Sequence, residues 1–230
     1  MHLGISIPMF NEEGNAERVL SRLISHLEAL HISFLVAVVN NGSTDSTGII
    51  LDKMSDRDPR IVPIHLEKNQ GYGGGILAGI QTLLECKPDV IGWIWGDGQV
   101  CSTVLSRLYK ECANGVDLAK TCRIHRQDGY RRRIISHIYA QGMSVLGVRT
   151  PDVNGCPKLF RRNFFKELNL QSMDWFLDAE AIIKTEQKNG LIHNEPVIME
   201  PRAFGQSKVR ISTIGEFTKN MIYWRFKRKS

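Results

Sequence analysis

Val90-Ile91-Gly92-Trp93-Ile94-Trp95-Gly96-Asp97-Gly98-Gln99 carries an apolar run into a glycine-flanked carboxylate. A carboxylate that leaves a buried strand at a turn is placed to meet a ligand, because ligands of open α/β sheets collect at the carboxyl ends of the strands. Two other stretches end the same way. Leu3-Gly4-Ile5-Ser6-Ile7-Pro8 runs into Asn11-Glu12-Glu13, and Phe34-Leu35-Val36-Ala37-Val38-Val39 runs into Asn40-Asn41-Gly42-Ser43-Thr44-Asp45. Three apolar strands with polar tips place one site on one sheet edge.

Helical spacing fills the gaps between these strands. Val19, Leu20, Leu23, Ile24, Leu27 and Leu30 recur at the helical period, and Ser43-Thr44-Asp45 offers caps before Ile49, Ile50 and Met54. Arg60 to Leu66 reads as a third strand. Gly71-Tyr72-Gly73-Gly74-Gly75 reads as a loop, with a helix through Ile76, Leu77, Ile80, Leu83 and Leu84. Val90 to Trp95 is the fourth strand. The order βαβαβαβ predicts a mostly parallel central sheet with helices on both faces, a Rossmann-like three-layer α/β sandwich. Beyond it, 102–112, 134–146, 175–189 and 211–226 are expected to be helical and 116–122 and 191–199 extended. No repeat or low-complexity linker marks a boundary, so residues 1–230 read as one domain.

Composition narrows the class. The chain is 42% hydrophobic and 23% charged, ordinary for a globular protein. No apolar run approaches the roughly 18 residues of a membrane span, and no signal peptide is expected at the start. Five scattered cysteines without a CxxC pair read as reduced thiols in a cytoplasmic protein. His65, His125, His137 and His193 lack metal-ligand spacing and read as structural or surface residues. The net charge of +6 suits anionic partners. Its clusters, Arg131-Arg132-Arg133 and the tail with Arg225, Lys227, Arg228 and Lys229, show no aromatic-interleaved groove, so nucleic acid is not the expected partner. The glycines at 71–75 do not follow the first strand and lack the GxGxxG spacing, which excludes a dinucleotide fingerprint. Gly71 and Gly73 are instead expected to allow close approach of backbone to a nucleotide or sugar.

Six segments in order carry a resemblance. Ile7-Pro8-Met9-Phe10-Asn11-Glu12-Glu13, Val39-Asn40-Asn41-Gly42-Ser43-Thr44-Asp45, Asn69-Gln70-Gly71 and Gly96-Asp97-Gly98-Gln99 resemble the successive motifs of inverting family-2 glycosyltransferases with the GT-A fold. Asp152-Val153-Asn154-Gly155-Cys156-Pro157-Lys158-Leu159-Phe160-Arg161-Arg162 and Arg202-Ala203-Phe204-Gly205-Gln206-Ser207-Lys208 are similar to later segments of the branch holding dolichol-phosphate mannose synthase and polyprenyl-phosphate glycosyltransferases. The resemblance implies transfer of a sugar from a nucleotide diphosphate to a polyprenyl or dolichyl phosphate, with inversion, at the cytoplasmic membrane face. On that reading about 1–120 is the nucleotide-sugar half, about 121–210 the acceptor half, and 211–230 a basic amphipathic C-terminal helix. Pro8, Asn11, Glu12, Asn40, Asn41 and Asp45 would line the nucleotide pocket. Asp97 and Gln99 would hold Mg²⁺ or Mn²⁺ and the diphosphate. Arg131, Lys158, Arg202, Ser207 and Lys208 would hold phosphates, with Asp97, Asp178, Arg202 and Lys208 nearest the chemistry.

Three departures bear on this. Trp95 stands where the family usually has the first carboxylate of Asp-x-Asp, so metal would rest on one carboxylate, the Gln99 amide and substrate oxygens. Asn40-Asn41 replaces the common acidic pair. An amide presents one donor and one acceptor, which matches uracil better than guanine and favours a UDP-sugar over GDP-mannose. Lys158 follows Pro157 where relatives often have arginine, and is expected to serve as the substitute cation. Asp178 and Glu180, two apart on a helix, cannot share a face, and Asp178 is the one expected to face the site and orient the sugar or act as base. The C-terminal stripe Ile211, Ile214, Phe217, Met221, Ile222, Trp224 and Phe226, flanked by cations, suits either an anionic membrane surface or packing on the core. A soluble or polysaccharide acceptor, or a weakened nucleotide-binding scaffold for a membrane partner, are the alternatives.

Overall fold

A computed structural model describes residues 2–99, 103–124, 139–199 and Trp224. The strands are β1 (His2–Met9), β2 (Ser33–Asn41), β3 (Ile61–Leu66), β4 (Val90–Trp93), β5 (Leu118–Arg123), β6 (Lys158–Arg161) and β7 (Ile192–Val197). The helices are α1 (Ala16–Ala29), α2 (Thr47–Arg57), α3 (Gly71–Glu85), α4 (Val104–Ala113), α5 (described over 139–145), α6 (Arg162–Leu168) and α7 (Leu177–Gln187). Together the strands form one sheet in the order β3-β2-β1-β4-β6-β5-β7. β1 pairs in parallel with β2 and β4, β2 with β3, and β5 with β7, while β6 runs antiparallel to both of its neighbours. This is the expected mostly parallel three-layer sandwich.

Alternation along β1 separates the two faces. Leu3, Ile5, Ile7 and Met9 enter a core shared with Val19, Leu20, Leu23 and Leu27 of α1, Leu51 and Met54 of α2, and Leu105 and Leu108 of α4. On the other face Ile91, Trp93 and Phe160 meet Ile76, Ile80 and Leu83 of α3, Phe165 of α6, and Leu177 and Ile182 of α7. Burial of such side chains contributes about 1.5–3 kcal/mol each relative to exposure, so both faces are strongly fixed.

Four elements differ from expectation. α3 begins at Gly71, so residues 71–75 are its first turn rather than a loop. Glycine is a poor helix former, and tertiary contact overrides that here. β4 ends at Trp93, two residues early. β6 and α6, four and seven residues long, are too short for a periodic signal. The reversed β6 brings its first residue, Lys158, opposite Trp93 at the carboxyl edge of β4.

Close docking of α3 on the sheet depends on absent side chains. A Cβ on Gly79 would fall inside contact distance of Ser6 Oγ and 3.1 Å from Val39 Cγ2. Ser6 itself is buried and donates to the Ile76 carbonyl at 3.0 Å. Gly79→Ala is therefore expected to push α3 outward and cost about 1–3 kcal/mol by overpacking. Urea denaturation checks this, and Ser6→Gly in the same chain should recover part of the loss.

Candidate active site

The carboxyl ends of β1 and β2 are joined by reciprocal hydrogen bonds. Asn11, at φ 51°, accepts from the Thr44 amide at 2.9 Å, and its own amide donates to Ser43 Oγ at 3.0 Å. The Glu12 amide donates to Thr47 Oγ1 at 2.9 Å, and the Glu13 amide donates to Asp45 Oδ2 at 3.2 Å. Glu13 accepts in return from the Ser46 amide at 3.0 Å. Asp45 Oδ1 receives the Thr47 hydroxyl at 2.6 Å and its amide at 3.0 Å. The two polar tips thus form one double loop. Burial alone raises the Asp45 pKa, but the hydrogen bonds from Thr47 and the Glu13 amide outweigh it and hold the carboxyl below its ordinary value.

The asparagine pair splits across the sheet. Asn41 is buried, with Oδ1 accepting from the Gln70 amide and Nδ2 donating to the Gly71 carbonyl, each at 2.9 Å. With only 4% of the residue exposed and each end of its amide bonded to the start of α3, Asn41 faces the helix entry rather than the open edge where the base pocket was expected. Asn40, half-buried on the other face, accepts from the Ser43 amide at 3.0 Å and meets His65 Nδ1 at 3.2 Å. His65 Nε2 faces Asp52 Oδ1 at 2.9 Å. One N–H and one lone pair of the Asn40 amide remain beyond these contacts.

The glycines of α3 admit the chain's own backbone. Gly74 N–H donates to the Met173 carbonyl at 2.9 Å, and a Cβ on Gly73 would stand 2.9 Å from the Asp174 oxygen and closer still to that of Ser172. Gly71 needs its φ of 80° at the helix entry. The close approach expected at Gly71 and Gly73 is therefore made by residues 172–174.

Beyond β4, Asp97 lies in a turn that crosses the tip of β1. A Cβ on Gly96 would stand 3.0 Å from the Pro8 carbonyl oxygen, and one on Gly98 would stand 2.7 Å from an Arg18 guanidinium nitrogen. Asp97 is buried, and its Oδ1 accepts from the Gln99 amide at 3.0 Å. Arg18 belongs to a chain in which its Nη2 donates to Asn15, whose Nδ2 donates to Glu12 at 2.6 Å. Pro8, Glu12, Asp97 and Gln99 are thus gathered at one edge, with Arg18 as a cation that carried no sequence signal. Among the described residues no group of three or more His, Cys, Asp or Glu gathers to hold a metal ion. The donor set fits Mg²⁺ or Mn²⁺ only through Asp97 together with oxygens brought by a diphosphate.

Asp178 is the centre of a buried network. It accepts at Oδ1 from Lys158 Nζ at 2.6 Å and from Trp93 Nε1 at 3.2 Å, and at Oδ2 from the Tyr72 hydroxyl at 3.1 Å. Tyr72 receives Trp95 Nε1 at 3.0 Å. Burial and the Asp178 charge push the Tyr72 phenol well above its ordinary pKa, so it stays a donor. Lys158 is fully buried and also donates to the Gly155 carbonyl at 2.6 Å. This corrects its expected role as a phosphate-binding cation, since its charge is spent on Asp178. Glu180 turns the other way, accepting from the amides of Gln171 and Ser172 and pairing with Lys184 at 2.6 Å. Asp178, the carboxylate expected to face the site, is buried and reaches the tip through Tyr72. Trp93, Tyr72 and Trp175 were invisible as site residues. The i, i+2 spacing of Trp93 and Trp95 is a signal that would set both on one strand face, but β4 ends at Trp93 and Trp95 lies beyond it.

Nearby, Arg123 pairs with Asp152, and Lys120 is buried opposite Lys158 across the β5–β6 pair. Lys120 Nζ donates to the carbonyls of Thr121, Pro151 and Asp152 at 3.1, 2.9 and 3.0 Å. Burial, and then the Lys158 charge, pull its pKa down to about 8. Cys156 is fully buried and its thiol is pushed well above the ordinary range by burial and then Asp178, which makes it a packing residue. Arg131, Arg202, Ser207 and Lys208 lie outside the described residues, as does the C-terminal segment except Trp224. That ring is buried, 6.2 Å from Phe176, and so faces the core.

Two outcomes follow from these pairings. Lys158→Met leaves the Asp178 charge buried without its cation and is expected to cost about 3–5 kcal/mol. Chemical denaturation checks it, and adding Asp178→Leu should recover most of the loss. The Asp45 pKa in the fold lies below its ordinary 3.8. Its contribution is therefore present at neutral pH and lost as pH falls through the folded value. Asp45→Asn is expected to lower stability at neutral pH, with the gap to wild type closing below about pH 4. Urea midpoints across that range test the sign.

The geometry can be set beside known proteins. Over 232 residues the chain is 26% identical to polyprenol monophosphomannose synthase of Mycolicibacterium smegmatis, covering 96% of this chain and 85% of the relative. It is 28% identical over 163 residues to undecaprenyl-phosphate 4-deoxy-4-formamido-L-arabinose transferase of Aeromonas hydrophila, covering 70% of this chain and 49% of that one. The chain thus spans about half the length of that transferase. Among solved structures, mannosyl-3-phosphoglycerate synthase of Rubrobacter xylanophilus superimposes with a TM-score of 0.73 at 13% identity, over 100% of this chain and 75% of that one. Glucosyl-3-phosphoglycerate synthase of Mycobacterium tuberculosis, in complex with Mn²⁺, UDP-glucose and phosphoglyceric acid, does so with a TM-score of 0.71 at 17% identity, over 98% and 79%. These likenesses fix the GT-A fold. Residues 5–169 match the family described as Glycosyl transferase family 2, from the first core strand through the Asp97 turn to the end of α6, and the chain belongs to that family.

Proposed function

We propose that this protein transfers a sugar from a nucleotide diphosphate sugar to a polyprenyl phosphate, with inversion at the anomeric carbon. The observation that carries the reading is the single sheet edge on which the double loop, the Asp97 turn and Arg18 meet, in a chain similar over nearly its whole length to polyprenol monophosphomannose synthase. The two curated relatives are named for different sugars but both for polyprenyl-type phosphates, so the acceptor class has the broader support. A membrane surface or a membrane partner protein at the cytoplasmic face would present such an acceptor.

The chemistry asks little of a base. The acceptor phosphate is already an anion, and its oxygen attacks the anomeric carbon from the face opposite the diphosphate. A carbon–oxygen bond forms as the bond to the leaving diphosphate breaks. Charge builds on that leaving group and must be met by fixed cations. Arg18 stands beside the turn, and Arg202 and Lys208 are assigned to the phosphates by family resemblance. When bound, Mg²⁺ or Mn²⁺ supplies further neutralisation, held by Asp97 with Gln99 close by. Asp178 acts as an organiser of Tyr72 and Trp95. The free donor and acceptor of Asn40 match the N–H and carbonyl of uracil, which favours a UDP-sugar over GDP-mannose.

Thermal-shift titration with UDP, GDP, CDP and TDP, each with and without Mn²⁺, tests the donor. A ligand that binds only the folded state must raise its apparent stability. UDP with metal is expected to give the largest shift. A larger shift with GDP overturns the base assignment. Because one carboxylate is a weak metal site, Mn²⁺ alone is expected to give no measurable calorimetric binding, and UDP is expected to create it. Asp97→Ala should remove that metal-dependent increment, and an unchanged increment would sink the assignment.

A further inference from the structure

Trp95 stands where the family resemblance places a carboxylate, and Trp93 supplies the contrast. Trp93 is fully buried, lies 5.3 Å from Phe160, and belongs to the core. Trp95, two residues beyond the end of β4, is only half-buried. Its indole is nevertheless fixed: Nε1 donates to the Tyr72 hydroxyl at 3.0 Å, and the Arg123 guanidinium lies 5.7 Å from a ring centroid. Tyr72 in turn stacks on Trp175, with centroids 4.4 Å apart and planes 10° from parallel. All three rings are half-buried at the carboxyl edge of the sheet. Two residues of chain span at most about 7 Å, so the aromatic set begins close to Asp97.

We propose that Trp95, with the Tyr72–Trp175 stack beside it, seats the transferred sugar of the donor by its hydrocarbon face. This rests on the donor reading given above. A carboxylate at position 95 would grip sugar hydroxyls as an acceptor. An indole has no acceptor, and its one donor is already given to Tyr72. What remains is the part of the apolar plane that the Arg123 guanidinium does not cover, which suits the C–H face of a pyranose and is indifferent to the base at the far end of the nucleotide. Ligand sites commonly join such aromatic walls to a few polar groups that fix orientation, here Asp97 and the loop tips. The chemical class selected is therefore a pyranose with a continuous C–H face or a deoxygenated sugar. The Tyr72–Asp178 bond makes the seat rigid, because Tyr72 is held from both sides.

Calorimetry on the full chain with UDP, UDP-glucose, GDP and GDP-mannose tests the seat. In Trp95→Ala the Kd of whichever sugar nucleotide binds wild type is expected to rise about tenfold. The Kd of its free diphosphate should move by less than about twofold. Trp95→Phe should recover most of the loss, and it also stands in if the alanine variant does not fold. Tyr72→Phe keeps the stack but releases the indole, so it should produce a smaller loss in the same direction. Equal losses for sugar nucleotide and diphosphate, or no loss in either, overturn the seat while leaving the donor reading intact. A loss confined to a short-chain polyprenyl phosphate in detergent overturns it in favour of a lipid seat. Failure of every nucleotide to bind wild type overturns the donor reading and the seat with it.

Discussion

One buried carboxylate holds the two halves of the protein in register. Asp178 collects an ammonium from β6, an indole N–H from β4 and a phenol from α3, so four elements meet at one side chain. A charge in that position is tolerated only while its partners stay in place. The alternation of β4, the reversal that puts Lys158 opposite Trp93, and the glycine-lined entry of α3 are all conditions of that contact. Tyr72 then carries the arrangement outward to Trp95, and so to the edge where Asp97 lies.

The opposite flank of the same edge is ordered differently. There the polar tips of β1 and β2 satisfy one another with neutral hydrogen bonds and two charged acceptors, Asp45 and Glu13. Loops normally leave backbone amides to water, whereas these are paired within the protein. The site therefore has a stiff wall of hydrogen-bonded loops on one side and a stiff aromatic wall on the other, with the Asp97 turn between them.

Much of this was readable in the residues. Leu3, Ile5 and Ile7 mark β1, Val36 and Val38 mark β2, and α1 shows its stripe, because burial on one face writes a period into the chain. The polar tips announced the ligand edge for the same reason. What could not be read was the competition for each polar group. Asn41 looked like a reader of bases, but it is buried and its amide faces Gln70 and Gly71. Lys158 looked like a phosphate ligand, but Asp178, twenty residues further on in α7, takes its charge. Gly71 and Gly73 were expected to admit a nucleotide or sugar, yet the backbone that approaches them is the chain's own 172–174 segment. Pair preferences of this kind are long-range, and a local pattern carries no record of them.

The reciprocal bonds between the first two loops also bear on how such a chain can change. Asn11 and Thr44 are 33 positions apart, yet each supplies what the other lacks. An insertion in either loop shifts both out of reach, and a crossover between them would join halves that no longer fit. The two short motifs thus behave as a single inheritable unit, and new specificity has more room to arise on the aromatic side of the cleft, where rings can be exchanged one at a time.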